Sequence, residues 1–175
     1  MEPRRPSLNP EPECAAQDAG YALTELTAQT LKAAFAGSPF AARIDSSDRC
    51  LVTVRNLEVA VVASLEVNTV LLWVLFTTRG RREEVLDFCH RFNRTMPPCK
   101  ARLQDELHEN GGNVVIISYW RISFEDERLS GPYVVRLVDL FARLVNEGMR
   151  ETGPGDLVWD ALVYLNADGP EGSPN

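Results

Sequence analysis

Cys14, Cys50, Cys89 and Cys99, with His90 and His108, are the side chains best suited to bind a soft metal or attack an electrophile. A zinc site needs closely spaced ligand pairs that close a tetrahedron, and no Cys-x-x-Cys pair occurs. Cys89 and His90 are adjacent, and neighbours on a helix point about 100° apart. Cys89 instead falls in register with Val85 and Phe92, the behaviour of a small buried apolar residue. Glu125-Asp126-Glu127 offers oxygen ligands to a hard cation, but consecutive carboxylates rarely converge on one ion, and a solvated loop is expected. His108 beside Glu106 or Glu109 has the make-up of an acid–base pair, at a position expected to be an exposed hairpin tip. Gly-x-Ser-x-Gly, phosphate-loop and His-Glu-x-x-His patterns are absent. Gly153-Pro154-Gly155 is a turn rather than a nucleotide loop. The expectation is a protein with no cofactor, no metal and no catalytic site. The enzyme alternative is a site assembled from residues distant in sequence.

Charge and length narrow the remaining classes. A net charge of −7 over 175 residues argues against nucleic acid, whose binders carry a basic stripe. The one basic cluster, Arg79, Arg81 and Arg82, runs into Glu83 and Glu84 and suits a solvated helix start. The apolar run 67–76 is shorter than a membrane helix requires. No apolar stretch follows Arg4 and Arg5, so no secretory signal is expected. Unpaired cysteines fit a reducing compartment, and the expected location is the cytoplasm. There the acceptor pattern Asn93-Arg94-Thr95 would be idle.

The elements follow from periodicity. Residues 24–36 predict a helix, with Thr24 able to cap it and Gly37-Ser38-Pro39 ending it. Residues 40–45, 50–55, 58–65 and 70–77 predict an antiparallel meander. A second helix over 82–94 carries Val85, Phe88, Cys89 and Phe92 on one stripe. Met96-Pro97-Pro98 stops it, and Asn93 is expected to help end it in the left-handed conformation, the alternative being that its amide hydrogen-bonds a strand or a partner. Residues 99–107 and 113–121 predict a hairpin around Glu109-Asn110-Gly111-Gly112. A third helix over 133–150 has Ser130 as cap and Pro132 in its first turn. Residues 156–165 place Leu157, Val158, Ala161, Leu162 and Leu165 on one helical face. The division expected is a flexible tail at 1–20, a domain at 21–152, a hinge and amphipathic segment at 153–166, and a second flexible tail at 167–175.

Two strands are apolar on both faces. Val70, Leu72, Val74 and Phe76 share one side of the fourth strand, and Leu71, Trp73 and Leu75 share the other. Residues 114–120 behave the same way. A strand with a solvated face alternates apolar with polar, so both faces of these strands must be covered. Helices cover one. Leu71, Trp73, Leu75, Val115, Ile117 and Tyr119 are the candidate interface on the other, since large apolar side chains left together in water mark an interface. The reverse assignment of the faces is the alternative, and the candidate cover is a second copy, the C-terminal tail or a partner protein. The segment 156–165 is also expected to dock there, because ten residues are too few for a stable isolated helix.

From about residue 24 to 151 the chain resembles the YbjN family of bacterial proteins, whose fold is similar to that of type III secretion chaperones. The features that carry the resemblance are the strand-rich run 51–76, Phe88-Cys89-His90-Arg91-Phe92-Asn93 near the end of the second helix, the hairpin 100–119 and the closing helix with 137–141. Asn93 matches an asparagine common at that helix end, while His90 stands where a second asparagine is usual. The resemblance implies an α+β fold of order α-β-β-β-α-β-β-α, with helices packed on an antiparallel sheet. It also implies homodimerisation and a role in binding another protein. The function expected is therefore a non-enzymatic, homodimeric, chaperone-like module. The alternative is a dedicated regulator of one protein in a bacterial stress or signalling pathway.

Overall fold

The structure, a computed structural model, describes residues 20–107, 111–124, 126–153 and 157–161. After a short 3-10 turn at Leu23–Glu25 come α1 (Ala28–Ala34), β1 (Ala41–Ile44), β2 (Cys50–Val54), β3 (Leu57–Ser64) and β4 (Thr69–Arg79). Then follow α2 (Arg82–Thr95), β5 (Cys99–Leu107), β6 (Asn113–Ile122), α3 (Gly131–Thr152) and β7 (Val158–Ala161). The fold is α+β, as expected. β1 to β4 form the meander, closed between β2 and β3 by Arg55 (φ 50°) and Asn56 (φ 63°). That two-residue left-handed turn matches the right-handed twist of the strands it joins. After α2 the chain returns as the β5–β6 hairpin, and β6 lies against β4 to give the order β1-β2-β3-β4-β6-β5.

All three α-helices among the described residues lie on one face of this sheet. Their stripes, including Leu31, Phe88, Phe92, Val138 and Phe141, bury against alternate strand residues such as Val52, Val61, Leu72, Val74 and Ile117. The stripe expected on α2 is fully realised, with Val85, Phe88, Cys89 and Phe92 all buried. Ser130 caps α3 by accepting a hydrogen bond from the Tyr133 amide. At α1 the cap is Thr27, not Thr24, and Thr24 falls inside the preceding 3-10 turn. The shift keeps Leu26, Leu31 and Phe35 in the core.

Two expectations are corrected by backbone hydrogen bonding. Residues 158–161 form a strand, not a helix, and pair antiparallel with Phe76–Arg79 of β4. β3 covers the edge of β4 only from Thr69 to Trp73, so the last turn of strand beyond it would leave peptide groups unpaired. β7 supplies their partners, and Trp159 seats its ring 4.5 Å from Phe88 and edge-on to Phe76 at 6.1 Å, on the helix side. Residues 162–165 lie outside the described residues, as do the expected tails at 1–19 and 167–175. Asn93 is not the helix terminator, because α2 runs on to Thr95 with Met96 as its C-cap. Its amide instead clasps the edge strand β5. Nδ2 donates to the Ala101 carbonyl at 2.9 Å and Oδ1 accepts from the Ala101 N–H at 2.7 Å. An edge strand offers these groups to any passing strand, and the side chain closes that offer.

Candidate docking face

The face of the sheet turned away from the helices is built by register. Cross-strand partners in an antiparallel pair share a face. Leu71 pairs with Trp120, Trp73 with Ser118 and Leu75 with Ile116. Ser118 in turn pairs with Lys100, and Ile116 with Arg102. These side chains line an open trough of about 600 Å³, completed by Arg49 and Gln104. Beside Trp73 on the same face, Ala60 of β3 and Leu51 of β2 are buried at 0% and 1% exposure. The apolar surface continues past the trough along β6, where Trp120 is 54% and Ile122 64% exposed.

Only half of the interface read from sequence lies here. Leu71, Trp73 and Leu75 are on this face, half-buried. Val115, Ile117 and Tyr119 are on the opposite face, under the helices: they pair with Phe76, Val74 and Leu72. Val115 and Ile117 are fully buried, and Tyr119 packs 6.4 Å from the Phe141 ring. A slip of one residue in strand register exchanges every side chain between faces, and the sequence does not specify the register between β4 and β6. One signal could have settled it. On β5, Lys100, Arg102 and Gln104 alternate with Cys99, Ala101 and Leu103, which marks the open side of that strand. Carried across the hairpin, the same phase selects Ile116, Ser118 and Trp120.

The charges around the trough differ in kind. Arg49 is held by Asp45, whose Oδ2 accepts from Nε at 2.7 Å while Oδ1 accepts from the Ser47 and Arg49 amides. Burial alone would raise the Asp45 pKa, but these bonds to Arg49 and Ser47 together outweigh it and hold the carboxyl below its ordinary range. Arg49 is thus fixed and neutralised within its own turn. Lys100 and Arg102 are exposed on the far rim, and no described carboxylate lines the trough. The chemistry offered is an apolar floor with a cationic edge, suited to an apolar group that carries negative charge.

The residues weighed for catalysis do not converge on this face. Cys50, Cys89 and Cys99 are buried free thiols, each pushed up to about 11 by burial, which suppresses the reactive thiolate. His90 is exposed on the outer side of α2, while Glu106's side chain, His108 and Glu109 lie outside the described residues. In the acidic run, Asp126 is exposed and Glu125 lies outside the described residues. Glu127 is not simply solvated. The Phe124 amide and then Arg121 hold its carboxyl below the usual range, closing the loop after β6. Among the described residues no group of three His, Cys, Asp or Glu is placed to hold a metal ion. No described helix is long and apolar enough to cross a membrane.

An antiparallel sheet with its described helices confined to one face, and a β5–β6 hairpin inserted after α2, defines the architectural class. The chain has the fold of YbjN: the crystal structure of that E. coli protein, a proposed transcription regulator, superposes with a TM-score of 0.56. The match covers 77% of this chain and 95% of YbjN at 11% identity. An uncharacterized protein from Methanothermobacter thermautotrophicus aligns with a TM-score of 0.48 at 14% identity, over 73% of this chain and 96% of its own. No family model matches the sequence, and no curated protein does.

Proposed function

We propose that this chain is a non-enzymatic protein-binding module, a homodimeric, chaperone-like protein whose open sheet face takes a partner. The observation that carries the proposal is the apolar surface of Leu71, Trp73, Leu75, Ile116 and Trp120 on the side of the sheet that no described helix covers. Tryptophan is also enriched among interface residues that dominate binding energy. The test is Trp120→Glu, which places a charge on that surface at a side chain already 54% exposed, so the fold is expected to stand. Wild-type chain and variant should both scatter light as roughly twice 19.5 kDa at micromolar concentration, and only the variant should lose partner capture. Wild type at a single-chain mass across that range removes the dimer. Partner capture that is equal for wild type and variant removes the face.

One observation favours a second reading. YbjN, whose fold this chain shares, is itself described as a proposed transcription regulator, which favours a regulatory role, and a dedicated regulator of a single protein is the form of it that an open apolar face allows. One stoichiometric partner on the open face supports the regulator, and many unfolded clients support the chaperone.

A further inference from the structure

The last described residues end beside the trough. β7 runs antiparallel to β4, so that Val158 is opposite Arg79 and Ala161 opposite Phe76. One step further along, the register comes to Leu75, the first of the three trough residues on β4. β3 occupies the edge of β4 only as far as Trp73, which leaves Val74 and Leu75 between β3 and β7 on that edge.

The residues after Ala161 match the trough in composition. Leu162, Val163, Tyr164 and Leu165 are apolar, and Asp168 and Glu171 come next, with no Lys or Arg from 162 to 175. Extended, four residues span about 13 Å, the distance from Leu75 to Leu71 along a strand at about 3.3 Å per residue. The rim with Lys100 and Arg102 lies two strands from β4, about 10 Å at strand spacing. Ten residues, 162–171, are long enough to cross it. The charge also fits. In a chain of net charge −7, the trough presents Lys100, Arg102 and the Asp45-bound Arg49 with no described carboxylate among its lining residues.

We propose that the segment 162–171 of the same chain occupies the trough when no partner is bound, its apolar residues over Leu75, Trp73 and Leu71 and its carboxylates toward Lys100 and Arg102. The proposal rests on the open face being the docking surface, and it adds the chemistry of the ligand: an apolar segment followed by acidic residues. Tethering at β7 gives the segment a high effective concentration, of the millimolar order for short flexible linkers. An external partner therefore binds by displacing it, and partners with the same apolar–acidic pattern are favoured.

Hydrogen exchange on the full chain tests this, with Lys100→Glu/Arg102→Glu as the variant, since both side chains are exposed. In the wild type the amides of 162–165 should exchange at least about tenfold more slowly than an unstructured chain, the behaviour of a docked segment. In the variant they should return to the unstructured rate, while the α2 amides of 85–92 keep their protection and report an intact fold. Unprotected amides at 162–165 in the wild type overturn the proposal. Equal protection in wild type and variant overturns the charge-directed seat. Protection that appears only at concentrations where the scattering mass doubles assigns the trough to a second copy and also overturns it. Capture of a partner that Trp120→Glu abolishes, with 162–165 unprotected, would leave the docking face standing and remove the segment alone.

Discussion

Gly148 sets how closely α3 crosses α2. A Cβ at this position would stand 2.5 Å from Phe92 Cε2 and 2.8 Å from both Phe92 Cζ and Met96 Cγ. Non-bonded carbons settle at about 3.5–4.0 Å, so Gly148→Ala requires the Phe92 ring to retreat by about 1 Å. It has nowhere to go: Phe92 is 0% exposed and its ring is held 5.9 Å from Phe88. Overpacking of this kind costs about 1–3 kcal/mol, against a gain of about 1 kcal/mol from replacing glycine inside a helix. The net expectation is a loss of up to roughly 2 kcal/mol, and a melting temperature lower by about 2–4 °C per kcal/mol for a domain of this size. Phe92→Ala alone should cost about 3–5 kcal/mol as a buried aromatic deletion. In that background the sign of Gly148→Ala should reverse. The ring is gone, Met96 is unbranched and can turn aside, and the new methyl enters the space the ring left. Urea denaturation followed by far-ultraviolet circular dichroism gives the four stabilities of the cycle. A stabilising Gly148→Ala in the wild-type background would refute the packing argument. So would an identical effect in both backgrounds, because contacting residues must couple.

Two further outcomes rest on the hydrogen bonds. Asn93→Ala strips the Ala101 N–H and C=O of their partner and should cost about 1–3 kcal/mol, the range for leaving a buried polar group unpaired. Faster exchange of the Ala101 amide should accompany it, and unchanged exchange would show that solvent, not Asn93, serves that edge. Asp45 has a folded pKa below its ordinary 3.8, so its charged form stabilises the folded state above that value, and the contribution is lost as pH falls through the lowered folded pKa. Asp45→Asn should therefore be less stable than wild type at neutral pH, with the gap closing on acidification. A gap that is the same at about pH 3 and pH 7 would show that no proton is linked to folding at this site.

The stripe of α2 and the two-faced character of β4 are legible in the sequence because each depends only on local spacing. Val85, Phe88, Cys89 and Phe92 repeat at the helical period whatever lies beside them, and apolar residues on both sides of a strand announce two buried faces. The role of Asn93 is legible there only as an alternative to helix termination. Its position near a helix end supports a terminator, and only the approach of Ala101, eight residues on, gives its amide a strand to bind. Residues 158–161 depart from the helical pattern read over 156–165 for a related reason: Leu157, Val158 and Ala161 fit a helical face, but the unpaired edge of β4 offers peptide partners that an isolated short helix lacks.

The sequence by itself determined the order of elements, the apolar stripes of the helices and the need to cover both faces of the central strands, since these come from the 3.6- and 2-residue periods and from the cost of wetting large apolar side chains. The tertiary structure decided which face is which. The pairing of Leu72 with Tyr119 and of Trp73 with Ser118 places Val115, Ile117 and Tyr119 under the helices and leaves Ile116, Ser118 and Trp120 beside Leu71, Trp73 and Leu75. Register is a property of two strands together. Because the side-chain period of a strand is two, a single residue of slip between them would have exchanged the core for the docking face.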